Sequence, residues 1–146
     1  MGLDFRSLLL SFDGRINRAK FWLVAVSFLV VWMIIDAIFG FSIFGRLLKL
    51  LVASGFFYPA YAVTAKRFQD RDRPGQTALF GLVPMLVAVA LQAFGMTGDP
   101  AAPNGLGWIC RLIYLGVGLW FAIELGMLKG TPGPNRFGGD PLAAVR

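Results

Sequence analysis

The chain contains no histidine and a single cysteine, Cys110, set in an apolar stretch. The first absence removes the commonest general base and the commonest transition-metal ligand. With one cysteine there is no disulfide framework and no cysteine metal cluster within one chain. Charge is scarce too: 15% of residues are Asp, Glu, Lys or Arg, against about 25% in ordinary soluble domains. No internal repeat, low-complexity tract or nucleophile–base pair is present. Asp70 and Glu124 are the available acid–base groups, and without a constellation around them the expectation is a non-enzymatic protein with no cofactor and no metal.

What the chain has is apolar length. Of its 146 residues 57% are hydrophobic, with a mean hydropathy of +0.67. A soluble fold of this size would leave much of that surface in water. The net charge of +6 raises the question of nucleic acid. Its positive residues, however, sit in short clusters between apolar runs, which suits anionic lipid head groups better.

Crossing a bilayer takes roughly 20 apolar residues in a helix, and four segments approach that: Phe21 to Phe39, Leu47 to Ala65, Thr77 to Met96 and Trp108 to Leu128. The second and fourth carry Lys49, Arg111 and Glu124 near their ends, where long side chains can reach the interface. The apolar run begins only after Phe21 and no small-residue cleavage site follows it, which excludes a signal peptide. Eleven of the fourteen Lys and Arg residues fall in the leader, the middle connection and the tail; Arg46, Lys49 and Arg111 fall on the other side. The positive-inside rule then puts both termini in the cytosol, as an even number of spans requires. The expected architecture is an all-α, integral membrane four-helix bundle. It divides into a leader (1–20), a four-span domain (21–128) and a Gly/Pro-rich cytoplasmic tail (129–146). In the leader, Phe5, Leu8, Leu9 and Phe12 share one helical face, which predicts a short interfacial helix over Leu3 to Ser11. Gly98 to Gly107 reads as a turn-rich external loop.

Three motifs share the cytoplasmic side. Around Phe12-Asp13-Gly14-Arg15-Ile16-Asn17-Arg18, Gly14 permits a sharp turn and Asn17 suits a helix cap. Arg15 and Arg18 can fork onto phosphate or carboxylate oxygens; ordinary head-group anchoring is the plain alternative. In Lys66-Arg67-Phe68-Gln69-Asp70-Arg71-Asp72-Arg73-Pro74-Gly75, Asp70 is in helical register with both Lys66 and Arg67. From Gly130 to Pro141, glycine and proline exclude a helix, and Asn135, Arg136, Phe137 and Asp140 lie at the centre. The spacing is neither a Walker loop nor a dinucleotide fingerprint. The expectation is a rigid tail folded back on the other two motifs.

Together the motifs resemble the YhaH-type family of small bacterial inner-membrane proteins, a domain of unknown function. The carriers are Phe12, Gly14, Arg15, Arg18, Phe21 and Trp22, then Lys66, Arg67, Phe68, Gln69, Asp70 and Gly75, and finally Gly130, Gly133, Asn135, Phe137, Gly138, Asp140 and Pro141. Gln69 stands where that family usually has His, and Gln76 where it has Trp, so no protonation role for that His transfers here. The resemblance implies a four-helix inner-membrane domain and no reaction.

Within the spans, Glu124 needs a neutralising neighbour, with Lys20, Arg67 and Lys129 as candidates. Asp36 and Arg111 are expected near the external face, within reach of each other. The midplane is empty of charge, which disfavours a transporter. Gly118, Ala122 and Gly126 form a small-residue stripe for close helix packing, inside the bundle or with a second protein. The function expected is an accessory or scaffold subunit. Its cluster of Arg15, Arg18, Arg67, Asp70, Asn135, Arg136 and Asp140 would bind a protein partner or anionic lipid, with homo-oligomerisation possible and nucleic acid excluded. The rival is transport or sensing of a small anion by Arg15, Arg67 and Arg136.

Overall fold

A computed structural model of the chain describes residues 5–40 and 42–143. It is all-helical. A short helix α1 (Phe5–Leu10) precedes α2 (Arg18–Phe39) and α3 (Ile43–Gln69). A 3-10 turn, Gly75–Ala78, leads into α4 (Leu79–Ala93), and α5 (Gly105–Phe121) runs on into a π-helical stretch, Ala122–Met127. Four of these segments among the described residues, Arg18–Phe39, Ile43–Gln69, Gly75–Ala93 and Gly105–Met127, are long and apolar enough to cross a membrane. The chain is a multi-pass membrane protein.

The helix ends follow from local chemistry. Asn17 caps α2, its Oδ1 accepting from the Lys20 amide at 3.0 Å. Ser42 and Asn104 do the same for α3 and α5, accepting from the Gly45 and Gly107 amides at 3.1 and 2.9 Å. Such caps satisfy amides that a helix start leaves without partners. Both α3 and α4 stop in a Schellman turn. In α4 the left-handed residue is Gly95 (φ 73), with Met96 N donating to Leu91 O and Gly95 N to Gln92 O. In α3 that place is taken by Asp72 (φ 58), with Arg73 N donating to Phe68 O and Asp72 N to Gln69 O.

Helix α3 extends four residues beyond the expected end of its span. Every residue from Ala62 to Asp70 is buried, so the charges of Lys66 and Arg67 lie in protein rather than lipid and do not end the helix. The core sits at this same end, where Leu8, Ile16, Phe21, Val63, Phe68, Ala78 and Leu125 pack together. Farther along the spans, large apolar side chains such as Leu29, Met33, Leu51 and Leu115 are exposed, as lipid-facing residues must be.

Packing runs in chain order: α2 on α3, α3 on α4, α4 on α5. Among the described residues, the α2 and α5 backbones stay more than 8 Å apart, Cα to Cα, along their α-helical lengths. They meet only where the π-helical stretch crosses α2. The bundle is therefore closed at the motif end and parted between α2 and α5 elsewhere.

The predicted interfacial helix is present as Phe5–Leu10, but it is docked rather than simply laid on the surface; Leu3 and Asp4 lie outside the described residues. Leu8 is buried in the core, and the Lys66 ammonium donates to the Ser7 and Leu8 carbonyls. Phe12 stacks on Tyr58 and Tyr61 at 4.7 and 5.1 Å. Only Phe5 and Leu10 keep large apolar surface outside.

Candidate functional site: a buried ion network at the motif end

Asp70 is the hub. It lies at the end of α3, 3% exposed, and its two carboxylate oxygens take different arginines. Oδ1 accepts from Arg15 Nε at 3.0 Å and Oδ2 from Arg67. A carboxylate buried this deeply needs such charge-assisted bonds to offset desolvation. The Asp70 backbone carbonyl also accepts from the Thr131 amide at 2.8 Å and from the Thr131 hydroxyl at 3.1 Å. One residue thus joins the leader, α3 and the tail.

Both guanidinium groups are spent on the protein itself. Arg15 donates onward to the tail carbonyls of Thr131 and Gly133, each at 2.6 Å, and Gly138 at 3.3 Å. Arg67 donates to the Leu125 and Leu128 carbonyls, each at 2.6 Å. These last contacts belong to a larger pattern at the end of the fourth span. Its five carbonyls from Glu124 to Leu128 each accept from a side chain: Arg71, Arg67, Trp22, Arg18 and Arg67 again. A helix end leaves its last carbonyls unpaired and carries partial negative charge. Here cations and an indole from the first two motifs close it off.

The tail is held by its own side chains as well. Asn135 Nδ2 donates to the Gln69 carbonyl and to Thr131 Oγ1, both at 2.9 Å, and its Oδ1 accepts from the Phe137 amide. Asp140 accepts from the Gly133 and Leu142 amides. Arg136 pairs with Asp72, Nε to Oδ1 at 3.1 Å, and lies 4.8 Å from the centre of the Phe137 ring. Gly130 is required by its surroundings, since a Cβ there would run into the Asp70 carboxylate. The tail is folded back on the other two motifs.

Some expectations change. Glu124 is neutralised by Arg71 and Arg73, at 3.2 and 2.9 Å, and not by Lys20, Arg67 or Lys129. The turn at Asp72 brings Arg71 and Arg73 back beneath the π-helical stretch, while Arg67 is committed to Asp70. Glu124 Oε1 and Arg71 Nε make no aligned hydrogen bond, so that approach is purely an ion pair. Asp36 pairs with Lys49 rather than Arg111. The connection between α2 and α3 is short, and Lys49 lies two turns into α3, opposite Asp36. Arg111 instead reaches the Pro100 carbonyl and lies over the Trp108 ring, 5.0 Å from its centre. Of the small stripe, only Gly126 makes a close helix approach: a Cβ there would stand 2.5 Å from the Trp22 ring. Gly118 faces open space, and with Ala122 lines a cleft. The contact of Gly81 with Phe121 and Val117, just as tight, carries no stripe in the sequence.

Gln69 is inside the network, buried, with its Oε1 lacking a hydrogen-bond partner among the described residues. The roles of Trp22, Arg71 and Thr131 were not singled out from sequence. Trp22 and Arg71 stand within or beside motifs that were read, whereas the contact that gives Thr131 its role is to a backbone carbonyl.

The family model described as "Protein of unknown function (DUF805)" matches residues 9–139, which takes in the first two motifs and the third as far as Gly139. The chain belongs to the DUF805 family. It is similar to the uncharacterized protein YiiR of Escherichia coli strain K12, and to YiiR of Escherichia coli O157:H7. Identity is 29% over 144 residues in each case, covering 94% of this chain and 90% of the relative. No solved structure matches.

Proposed function

We propose that this DUF805 protein is a non-enzymatic accessory or scaffold subunit of the bacterial inner membrane, with its motif end in the cytosol, where it engages a protein partner among anionic head groups. The narrower YhaH-type grouping belongs to the same proposal and rests on the motif resemblance. The cytosolic orientation rests on the charge bias of the connections.

One observation carries the reading: an irregular tail is pinned into a single shape by hydrogen bonds from Arg15 to its carbonyls and from Thr131 and Asn135 to the end of α3. Ordering backbone costs about 1–2 kcal/mol per residue, and a simple linker has no need of it. A surface fixed in advance lowers the ordering cost of binding. Around the pinned tail, Arg18, Lys20, Arg73, Lys129 and Arg136 are exposed, a cationic rim suited to a lipid-proximal interface. The rival reading of a small-anion site at Arg15, Arg67 and Arg136 loses support, because the first two have their donors filled by Asp70 and backbone carbonyls.

Affinity purification in mild detergent tests the proposal, with wild type, Arg67→Ala and Asn135→Ala compared. Both variants should lose co-purifying protein, and Asn135→Ala should do so with the spans still folded. Unchanged partner and lipid content in both would overturn it.

A further inference from the structure

The three cations at the end opposite the motifs are not scattered. Arg46, Lys49 and Arg111 line one pocket of about 200 Å³, together with Gln92, Thr97 and Asp99. Arg46 Nε is buried there without a hydrogen-bond partner among the described residues. Lys49 is paired with Asp36, and Arg111 holds the Pro100 carbonyl through one nitrogen. Asp99 uses Oδ1 on the Ala101 amide at 2.7 Å. Three cations against Asp36 and Asp99 leave the pocket net positive.

Trp32, Val89 and Gln92 line this pocket and also a second, apolar cleft of about 510 Å³, so the two adjoin. The cleft lies among α2, α3, α4 and α5, and its open side is the parting between α2 and α5. Its volume falls within the usual ligand range of about 300–1,000 Å³. Along α2 it is lined from Phe21 to Trp32, roughly 16 Å at the helical rise. The cleft is lined mainly by apolar side chains such as Val24, Phe28, Leu29, Phe56, Leu86 and Phe121, which suits an acyl chain, since it brings no polar group that needs a partner. An apolar slot in the hydrocarbon zone gains dispersion contacts when a chain fills it. A cationic pocket at its mouth takes phosphate through charge-assisted bonds.

We propose that the adjoining pocket and cleft bind one anionic phospholipid from the surrounding leaflet, its phosphate held by Arg46 and Arg111 and one acyl chain lying between α2 and α5.

Native mass spectrometry of the detergent-purified full chain tests this with added phosphatidylglycerol, phosphatidylcholine of the same chains, and inorganic phosphate. One phosphatidylglycerol per chain should be retained, about tenfold more tightly than phosphatidylcholine, whose phosphate can take the same bonds but whose choline cation is repelled by the net-positive pocket. The double variant Arg46→Gln/Arg111→Gln should lose that tenfold. Gly118→Leu, which fills the cleft from a position with no atom near its Cβ, should lose retention while unfolding at no lower a temperature than wild type. Retention at wild-type strength in either the double variant or Gly118→Leu overturns the proposal. So does inorganic phosphate stabilising as well as the lipid, or a lipid-free dimer.

Discussion

The two ends of the bundle handle charge in opposite ways. At the motif end Arg15, Arg67 and Asp70 are almost fully buried, and each finds its partners inside the chain. At the other end Asp36 is 38% exposed on its side chain, Lys49 leans on it, and Arg46 Nε has no hydrogen-bond partner among the described residues. The lesson concerns where binding capacity resides. A cluster rich in arginine is not thereby an anion site; what counts is the donors left over after the fold has taken its share. The motif end has more cations and fewer spare donors at its centre, so what it offers a partner is shape.

Asp70→Ala should separate the two ends most sharply, because it leaves two guanidinium charges buried without their carboxylate. A loss of about 3–5 kcal/mol is expected, read as denaturant-induced unfolding in detergent. Asp36→Ala, where a 38% exposed carboxylate answers one cation rather than two, should lose less, about 1–2 kcal/mol; equal losses would erase the distinction. The small-residue stripe gives a finer comparison. Gly126→Ala drives a methyl group into the Trp22 ring and should cost about 1–3 kcal/mol. Gly118→Ala meets open space and should stabilise by up to about 1 kcal/mol through helix propensity. Thermal unfolding of the two single variants decides it. Least of all, Arg136→Ala should shift stability by about 1 kcal/mol at most, since Arg136 and Asp72 are 58% and 47% exposed. Limited proteolysis should find the tail as protected as before.

Much of the fold was legible because lipid imposes a length on its helices. The four spans, the Asn17 cap and the gathering of three motifs at one end all follow from hydropathy, charge count and turn residues. What stayed hidden was azimuth. Asp36 and Arg111 were matched by depth alone, but depth does not say which helix faces which, and α2 faces α3. The stripe on α5 failed at Gly118 for the same reason, since α5 diverges from α2 above Gly126. Glu124 was matched to cations at the right depth, yet its partners depend on the reversal at Asp72. No local preference marks Ala122–Met127 as π-helical. That geometry is visible only beside the side chains that meet its carbonyls.

The clasp on Asp70 has a consequence for biogenesis. Arg15 must reach Gly133, 118 positions later in the chain, so a nascent polypeptide cannot fasten its leader to this tail segment until Gly133 has been made. Until then the buried arginines face carbonyls that do not yet exist. A chain that stopped before Thr131 would therefore keep the Arg15–Asp70 pair but leave the rest of the Arg15 guanidinium without the tail carbonyls that complete its hydrogen bonding.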